Sequence, residues 1–343
     1  MSTTEAGGAR VFLTGATGFV GKVVLEELMR RRSELQIERV YLLIRPRKGL
    51  SAEERFEQSV ATSHCFSLLD SSWRELCHPI AGNMTEEELG ISAADLKTLR
   101  AELTHVIHCA ASIRFDLPIR KAADVNITGA LRTLRFVQSC PGIRRFVDVS
   151  TAYVTPHPGE GVVAAREELV DFPLDAEKTY ERIMKEEVDE AELLATTGHP
   201  NTYTFTKCLA EIILAKNRGD TPLTLLRPSI VSVCRRHPFP GWIDSHAAYA
   251  AFISLLGAGH LRVVRSDPNT VLDVVPCDDV ADRILSCAFE PELQKPFLIR
   301  HAAVGLADSG RTGDLARKHV EFFQGSPHDR EPYIAYQIGR AHV

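Results

Sequence analysis

Two residues in this sequence have the types and spacing for proton transfer, Tyr203 and Lys207. Residues four apart lie one turn apart on the same face of a helix. A tyrosine phenol titrates near ~10, too high for ready proton exchange at neutral pH, and a neighbouring ammonium favours the phenolate. We therefore expect Lys207 to lower the pKa of Tyr203, so that the pair could serve a redox reaction. The Y-x3-K pattern is frequent, so its weight depends on the motifs that precede it.

A glycine-rich turn lies near the start of the chain, between a short apolar run and an amphipathic stretch. This order predicts a strand, a turn and a helix that together bind a dinucleotide, although a chance glycine-rich turn is the alternative. The first glycine allows a tight turn, the second close approach to a pyrophosphate, and the third close packing of the helix. The pyrophosphate would contact the free N–H groups at the helix N-terminus. The predicted contacts are Gly15, Thr17, Gly18, Phe19, Val20 and Gly21.

The predicted second strand ends in basic residues, Arg45-Pro46-Arg47-Lys48. An NAD site usually carries an acid here for the ribose 2′-hydroxyl, whereas cations suit a 2′-phosphate. The sequence therefore predicts NADPH as the cofactor, with Arg45 as the main contact. Arg47 and Lys48 are expected to be solvated.

Small and hydroxyl-bearing residues follow the predicted fourth and fifth strands. Cys109-Ala110-Ala111 would let the cofactor lie against the backbone, although ordinary tight packing explains them equally well. Ser150 and Thr151 end the fifth strand, at the edge where such sheets bind ligands, and a hydroxyl there could donate to a developing oxyanion. A simple capping role is the alternative. A thiol nucleophile at Cys109 or Cys208 is conceivable, but buried unreactive cysteines are favoured.

The apolar runs and amphipathic stretches alternate in a βαβαβ order, which predicts a Rossmann-type doubly wound parallel sheet of class α/β. We expect long helices at 117–139, 176–194 and 51–69, with the charged run at 185–190 solvated. The predicted organisation is an NADPH-binding domain at 8–230, including an insertion at 155–200 and a catalytic helix at 202–216. A smaller substrate-covering subdomain follows at 231–336.

Composition excludes several classes of function. The chain has 343 residues, 44% of them hydrophobic, and a net charge of -5 without a basic block, which argues against nucleic acid as a partner. The eight cysteines form no CxxC pair and the histidines no HExxH motif, so no metal site is predicted. These features predict reduced thiols and a cytoplasmic location. The last seven residues, 337–343, match a translated sequencing-adapter sequence and are not expected to belong to the fold. The natural chain is expected to continue beyond them.

Several motifs in a fixed order resemble those of one family. The sequence looks like the reductase domain of the fatty acyl-CoA reductases, the male sterility branch of the extended short-chain dehydrogenase/reductases. Pro238-Phe239-Pro240-Gly241-Trp242-Ile243-Asp244 is the most distinctive of these motifs. The others are residues 14–22, 41–49, 108–116, 149–154, 201–207 and 226–231, and the resemblance covers about residues 8–290.

This resemblance implies the NADPH-dependent reduction of a long-chain fatty acyl-CoA to a fatty alcohol through an aldehyde, with release of coenzyme A. Tyr203, Lys207 and Thr151 would be catalytic, with Ser150 as the fallback hydroxyl. Lys207 would also hold the nicotinamide ribose, and the positive charge of the oxidised nicotinamide would act with Lys207 to lower the pKa of Tyr203. Further cofactor contacts implied by the family motifs are Asn126, Val149, Pro228, Ser229, Ile230 and Val231.

Alternatives remain open at this point. The chain could be a thioester reductase acting on a carrier-bound chain, or a silent NADPH-binding protein, whereas the motif at 238–244 argues against a sugar-nucleotide epimerase. Trp242, Ile243 and the run 247–256 could form the wall of an acyl trough, an ordinary core helix, or a surface that contacts a membrane peripherally. The sequence does not indicate an oligomeric state.

Overall fold

The protein is described by a computed structural model that covers residues 7–156, 165–264, 266–293, 295–325 and 335–336. The suspected adapter residues 337–343 lie outside the described residues. At the centre is a parallel seven-stranded sheet, in the order β11-β6-β5-β4-β1-β2-β3. Its strands are β1 (Ala9–Thr14), β2 (Ile37–Ile44), β3 (Cys77–Ala81), β4 (His105–His108), β5 (Arg145–Val149), β6 (Leu223–Pro228) and β11 (Phe297–Ala302). The predicted doubly wound sheet is confirmed.

The strand order reverses beside β1, which pairs with β2 on one side and with β4 on the other. Connections leave the two sides of such a point in opposite directions, and this opens a crevice at the carboxyl edge of the sheet. The residues that follow β1, β2, β4, β5 and β6 therefore face one region. This topology brings together motifs that are far apart in the sequence.

Helices cover both faces of the sheet, and each face buries its own apolar cluster. Val11 and Leu13 point into the cluster beneath the helices α1 and α10, whereas Phe12 points into the opposite cluster. Burial on both faces explains why the strands are almost continuously apolar. The helices are α1 (Phe19–Arg30), α2 (Ala52–Phe56), α3 (Ala93–Glu102), α4 (Ile119–Ala123), α5 (Gly129–Gln138), α6 (Ala176–Met184), α7 (Glu190–Thr197), α8 (Thr202–Asn217), α9 (Ala248–Gly257), α10 (Cys277–Phe289) and α11 (Thr312–Gly325).

The long predicted helices are interrupted. A π-helical turn, Asp124–Thr128, separates α4 from α5, and another, Glu57–Ala61, follows α2. The predicted helix at 176–194 is two helices, α6 and α7, and the charged run forms the exposed break between them. Two carboxylates of that run have partners. Asp189 accepts a hydrogen bond of 2.8 Å from the Glu192 backbone N–H, and Glu190 accepts one of 2.7 Å from the Ile119 backbone N–H.

The chain beyond β6 does not form a body separate from the sheet. The strands β7 (Ile230–Ser232) and β10 (Val274–Pro276) pair in parallel, after which α10 packs on α1 and β11 pairs with β6. Residues 277–302, beyond the predicted boundary at residue 230, thus complete the open edge of β6 and the apolar face beneath α1. The remaining strands are β8 (Val263–Val264), β9 (Val271–Leu272), β12 (Gly310–Arg311) and β13 (Ala335–Tyr336).

Candidate active site

The glycine turn after β1 is held by close backbone contacts. Gly15 has φ +81°, and a Cβ on it would lie 2.8 Å from the Ala110 nitrogen. A Cβ on Gly21 would lie 2.1 Å from the Gly15 carbonyl oxygen, so only glycine lets α1 start this close to the turn. No side chain caps the helix at Gly18, which leaves N–H groups at its N-terminus for an anion.

A cluster of cations lies at the carboxyl end of β2. Arg45 and Arg47 are exposed and have no acidic partner within the described part of the chain. The Arg55 guanidinium donates to the Arg45 carbonyl oxygen. Burial lowers the pKa of Arg55, and the charges of Arg45 and Arg47 lower it further. Arg55 therefore adds a third positive charge to the predicted 2′-phosphate site.

The predicted catalytic pair lies on α8. This helix begins at Thr202 and is capped by Asn201, whose side-chain oxygen accepts a hydrogen bond of 2.9 Å from the Thr204 N–H. Lys207 is 2% exposed and Tyr203 is partly buried one turn before it. Burial raises the pKa of Tyr203, and the charge of Lys207 and a hydrogen bond with Thr151 oppose that effect without overcoming it. Lys207 thus acts on this pKa in the expected direction, and the lowered pKa beside an oxidised nicotinamide stays a prediction.

The two hydroxyls after β5 differ in their surroundings. The Thr151 side chain hydrogen-bonds the phenol of Tyr203, and its oxygen accepts a bond of 3.3 Å from the Tyr153 N–H. The buried Ser150 hydroxyl has no hydrogen-bond partner among the described residues. Val149, just before them, is partly buried. The geometry therefore favours Thr151 over Ser150 as the partner of Tyr203.

A buried carboxylate lies behind this pair. An oxygen of Asp148, on β5, is 3.6 Å from the Lys207 ammonium, and its other oxygen is 4.0 Å from His108 Nε2. His108 Nδ1 is 2.8 Å from the Thr14 hydroxyl, which accepts a bond of 3.2 Å from the Ala110 N–H. Burial lowers the pKa of His108 to about 4, so the imidazole is neutral near pH 7.

Asn126 lies in the π-helical turn between α4 and α5 and is 2% exposed. Its amide accepts a bond of 2.8 Å from the Ser112 N–H, and donates to the Ser112 carbonyl and the Thr206 hydroxyl, both at 3.1 Å. Both ends of the amide are thus engaged by protein atoms. Asn126 ties the loop after β4 to the residue before Lys207, an arrangement suited to positioning.

The residues after β6 line the edge of the site. Pro228 and Ser229 are buried, whereas Ile230 and Val231 are partly exposed. The Ser229 hydroxyl donates to Asp273 at 2.5 Å, so its side chain is already engaged. Asp273 also accepts bonds from the backbone N–H groups of residues 304 and 305, at 3.1 and 2.8 Å.

The distinctive motif at 238–244 lies over the start of α1. The indole of Trp242 is buried, and its ring lies 5.5 Å from that of Phe19. The Lys22 ammonium forms an ion pair with Asp244. Ile243 and these residues border a cavity of about 570 Å³ that reaches the glycine turn. Trp242 therefore belongs to the packing between the motif and α1.

Large apolar side chains are exposed around Tyr203. Phe115 is 58% exposed, and its ring lies 5.7 Å from that of Tyr203. Ile113, which follows Ser112, and Tyr153, two residues after Thr151, are also exposed. By contrast, α9, the predicted trough helix, packs on α11, where Tyr249 lies 5.8 Å from His319. None of the helices in the described segments is long and apolar enough to cross a membrane.

The thiols near the site are not activated. Burial raises the pKa of both Cys109 and Cys208 to about 12, which leaves them protonated at neutral pH. Within the described ranges, no group of three or more His, Cys, Asp or Glu side chains is arranged to hold a metal ion.

Sequence reasoning missed four elements of the site: Asp148, Arg55, Asp273 and the pairing of Lys22 with Asp244. A signal existed for Asp148, because an acid inside the apolar run Phe146-Val147-Asp148-Val149 must have a reason to be buried. The others depend on contacts between segments that are far apart in the chain, and no local sequence pattern predicts them.

Curated relatives match the chain over most of its length. Fatty acyl-CoA reductase 2 from Bos taurus is 29% identical over 340 residues, which cover 94% of this chain and 63% of the bovine protein. Fatty acyl-CoA reductase 1 from Gallus gallus is 31% identical over 333 residues, covering 95% of this chain and 62% of the chicken protein. The chain thus spans less than two thirds of the length of these relatives.

Solved structures share the fold. The terminal R domain from the myxalamid PKS-NRPS biosynthetic pathway has a TM-score of 0.71 at 22% identity, covering 97% of this chain and 73% of that domain. UDP-glucose 4-epimerase from Thermotoga maritima has a TM-score of 0.56 at 18% identity, covering 97% of this chain and 87% of the epimerase. At these identities the likeness shows the architecture. A model of the male sterility protein family matches residues 13–284, and the chain therefore belongs to that family.

Proposed function

We propose that this chain carries the reductase activity that converts a long-chain fatty acyl-CoA to a fatty alcohol through an aldehyde, with NADPH as reductant and release of coenzyme A. One observation carries the proposal: Thr151, Tyr203 and Lys207 meet at the carboxyl edge of the sheet, in a chain whose glycine turn faces the same edge. The relatives named fatty acyl-CoA reductases support the substrate class.

The described residues fit NADPH. The uncapped start of α1 and the tight turn from Gly15 to Gly21 suit a pyrophosphate, and the cations Arg45 and Arg55 suit a 2′-phosphate. Ala110 and Ala111 would leave room beside the backbone, and residues 228–231 would lie along the nicotinamide. When bound, NADPH would supply the hydride.

The side chains of the site would stabilise the developing negative charge and transfer the proton. Thr151 and Tyr203 would donate hydrogen bonds to the thioester carbonyl oxygen as it gains negative charge. Collapse of the hemithioacetal breaks the C–S bond, and coenzyme A leaves as a thiolate that takes up a proton. In the reduction of the aldehyde, Tyr203 would give its proton to the alkoxide oxygen. Lys207 would stabilise the phenolate that remains.

The acyl chain would leave the site over exposed apolar side chains. Phe115 packs beside Tyr203, and Ile113 and Tyr153 expose further apolar surface on the loops that carry the site. An alkyl chain lying on such a surface removes apolar area from water at about 25 cal/mol per Å². This would favour long chains over short ones.

Consumption of NADPH by the purified protein tests the proposal, with acyl-CoA of increasing chain length and products identified by gas chromatography. We expect oxidation that rises with chain length and yields fatty alcohol. Tyr203→Phe should lower turnover at least about a hundredfold while NADPH still binds. Reduction of a carrier-bound thioester, with acyl-CoA untouched, would instead favour a function like that of the R domains that share the fold. Binding of NADPH without turnover of either substrate would reject the proposal.

A further inference from the structure

The carboxylate of Asp148 lies in an unusual environment. It is fully buried at the end of β5, and neither of its oxygens has a hydrogen-bond partner among the described residues. A buried carboxylate without hydrogen bonds is costly unless an opposite charge compensates it. A positive charge close to Asp148 is therefore needed to compensate the buried carboxylate.

Three titratable groups, Lys207, His108 and Cys109, face Asp148 or act on it from the neighbouring elements. The Lys207 ammonium on α8 is 3.6 Å away, and Tyr203 lies one turn earlier on the same helix. On and after β4, His108 is neutral near pH 7 and the Cys109 thiol is protonated, because burial disfavours their charged forms. Lys207 is thus the positive charge that compensates Asp148.

Lys207 in turn needs Asp148 as its counter-charge. Lys207 is 2% exposed, and a buried ammonium also needs a counter-charge. The other buried acid on α8, Glu211, is engaged by Arg227 at 2.6 Å and leaves Asp148 as the carboxylate that pairs with Lys207 among the described residues. The cluster therefore contains one cation and one anion, beside the phenol that would transfer the proton.

We propose that Asp148 is a positioning residue, which keeps Lys207 protonated, fixes where its ammonium points, and so sets the pH range in which Tyr203 can transfer a proton. This inference rests on the proposed function for its catalytic consequence. Without the carboxylate, the buried ammonium would release its proton more readily. A neutral Lys207 would neither stabilise the Tyr203 phenolate nor bind the ribose hydroxyls as well.

The test compares the protein with Asp148→Asn, which keeps the shape and removes the charge. On the basic side of the pH profile, the fall in kcat should begin at a lower pH in the variant than in the parent protein, by about one pH unit or more. On the falling basic limb of the profile, above both midpoints, this corresponds to a loss of about tenfold at a given pH. NADPH affinity is measured by fluorescence without acyl-CoA. As the pH is raised, this affinity should begin to weaken at a lower pH in the variant than in the parent protein. A uniform loss of kcat with an unmoved profile would overturn the proposal.

A second pair of variants separates charge from structure. In a Lys207→Met background, Asp148→Asn should cause no further loss of kcat and should raise the melting temperature, because both members of the pair are then gone. A full additional loss in that background would contradict the proposal. Glu211→Gln is the matched control, since it removes a buried acid from α8 and should lower the melting temperature without moving either pH profile.

The NADPH measurement keeps the two proposals distinguishable. If no acyl-CoA is reduced by the unmodified protein, the proposed function fails, whereas the pH dependence of NADPH binding in Asp148→Asn still decides the role of Asp148. An identical pH dependence of binding in the two proteins would reject that role.

Discussion

The ring of Trp242 lies 5.5 Å from the ring of Phe19, at an angle of 37°. Phe19 is the first residue of α1, so the segment at 238–244 rests on the helix that begins at the glycine turn. The ion pair between Lys22 and Asp244 adds a second contact. The segment and the turn therefore have fixed positions relative to each other.

Trp242→Ala should lower the free energy of unfolding by about 3–5 kcal/mol, because it leaves a large cavity between the motif and α1. The same variant should weaken NADPH binding, since α1 loses its cover at Phe19. Urea unfolding and fluorescence titration measure the two effects. Phe322→Ala is the control: that ring is 68% exposed, and its loss should change stability by less than about 0.5 kcal/mol.

Gly21→Ala should abolish cofactor binding and lower the free energy of unfolding by about 3 kcal/mol. The added Cβ would lie 2.1 Å from the Gly15 carbonyl oxygen, so α1 must move away from the turn. Calorimetry with NADPH tests this expectation. Gly325→Ala adds a methyl group to open space at the end of α11 and should change neither property. Normal NADPH affinity in Gly21→Ala would show that the turn does not bind the cofactor.

Arg45→Ala should raise the Kd for NADPH about tenfold and leave the Kd for NADH unchanged, because only NADPH carries the 2′-phosphate. Arg55→Ala should act in the same direction, since its charge lies in the same cluster. Arg317→Ala, which removes an exposed arginine from α11, is the matched control. An equal weakening of both cofactors in Arg45→Ala would assign the residue to a part of the site that the two share.

Stability should fall as the pH falls from about 6.5 to about 4, because burial lowers the pKa of His105 to about 4. In this window the unfolded chain binds a proton at this residue that the folded chain excludes. His105 should contribute a loss of about 2 kcal/mol between pH 7 and pH 5. Urea unfolding at pH 7 and at pH 5 should show that the free energy of unfolding falls by about 2 kcal/mol less in His105→Gln than in the parent protein.

The comparison between variant and parent is needed because Glu26 acts with the opposite sign. Burial raises the pKa of Glu26 to about 7, so its contribution to stability is lost as the pH rises through 7. His64→Gln is the control for the histidine effect, since His64 is exposed. An unchanged pH dependence in His105→Gln would contradict the assignment.

Much of the fold and part of the site could be predicted because the relevant signals are local. The strands have apolar runs, and the rule that parallel strands present their carboxyl ends at one edge placed Gly15, Arg45 and Thr151 in one region. Helix spacing likewise placed Tyr203 and Lys207 on one face of α8. These inferences need periodicity and topology, but no knowledge of long-range packing.

The rest depends on tertiary contacts. The net direction of the Tyr203 pKa required the burial of the phenol, which helix spacing does not reveal. The break at Asp124–Thr128 coincides with the contacts of Asn126, whose partners lie 14 and 80 residues away in sequence. The counter-charge of Lys207 comes from a different strand, so only the folded structure identifies it.

The pairing of β7 with β10 has a consequence for how this protein could be diversified. It places Val274 beside Ile230, so the segment from 233 to 273 starts and ends at two neighbouring strands. The entropy of closing a loop grows only slowly with its length, at about 0.6 kcal/mol for each doubling. Lengthening a turn within this segment would therefore cost little closure entropy, whereas replacing the whole segment would remove Trp242 and Asp244, which contact Phe19 and Lys22 on α1.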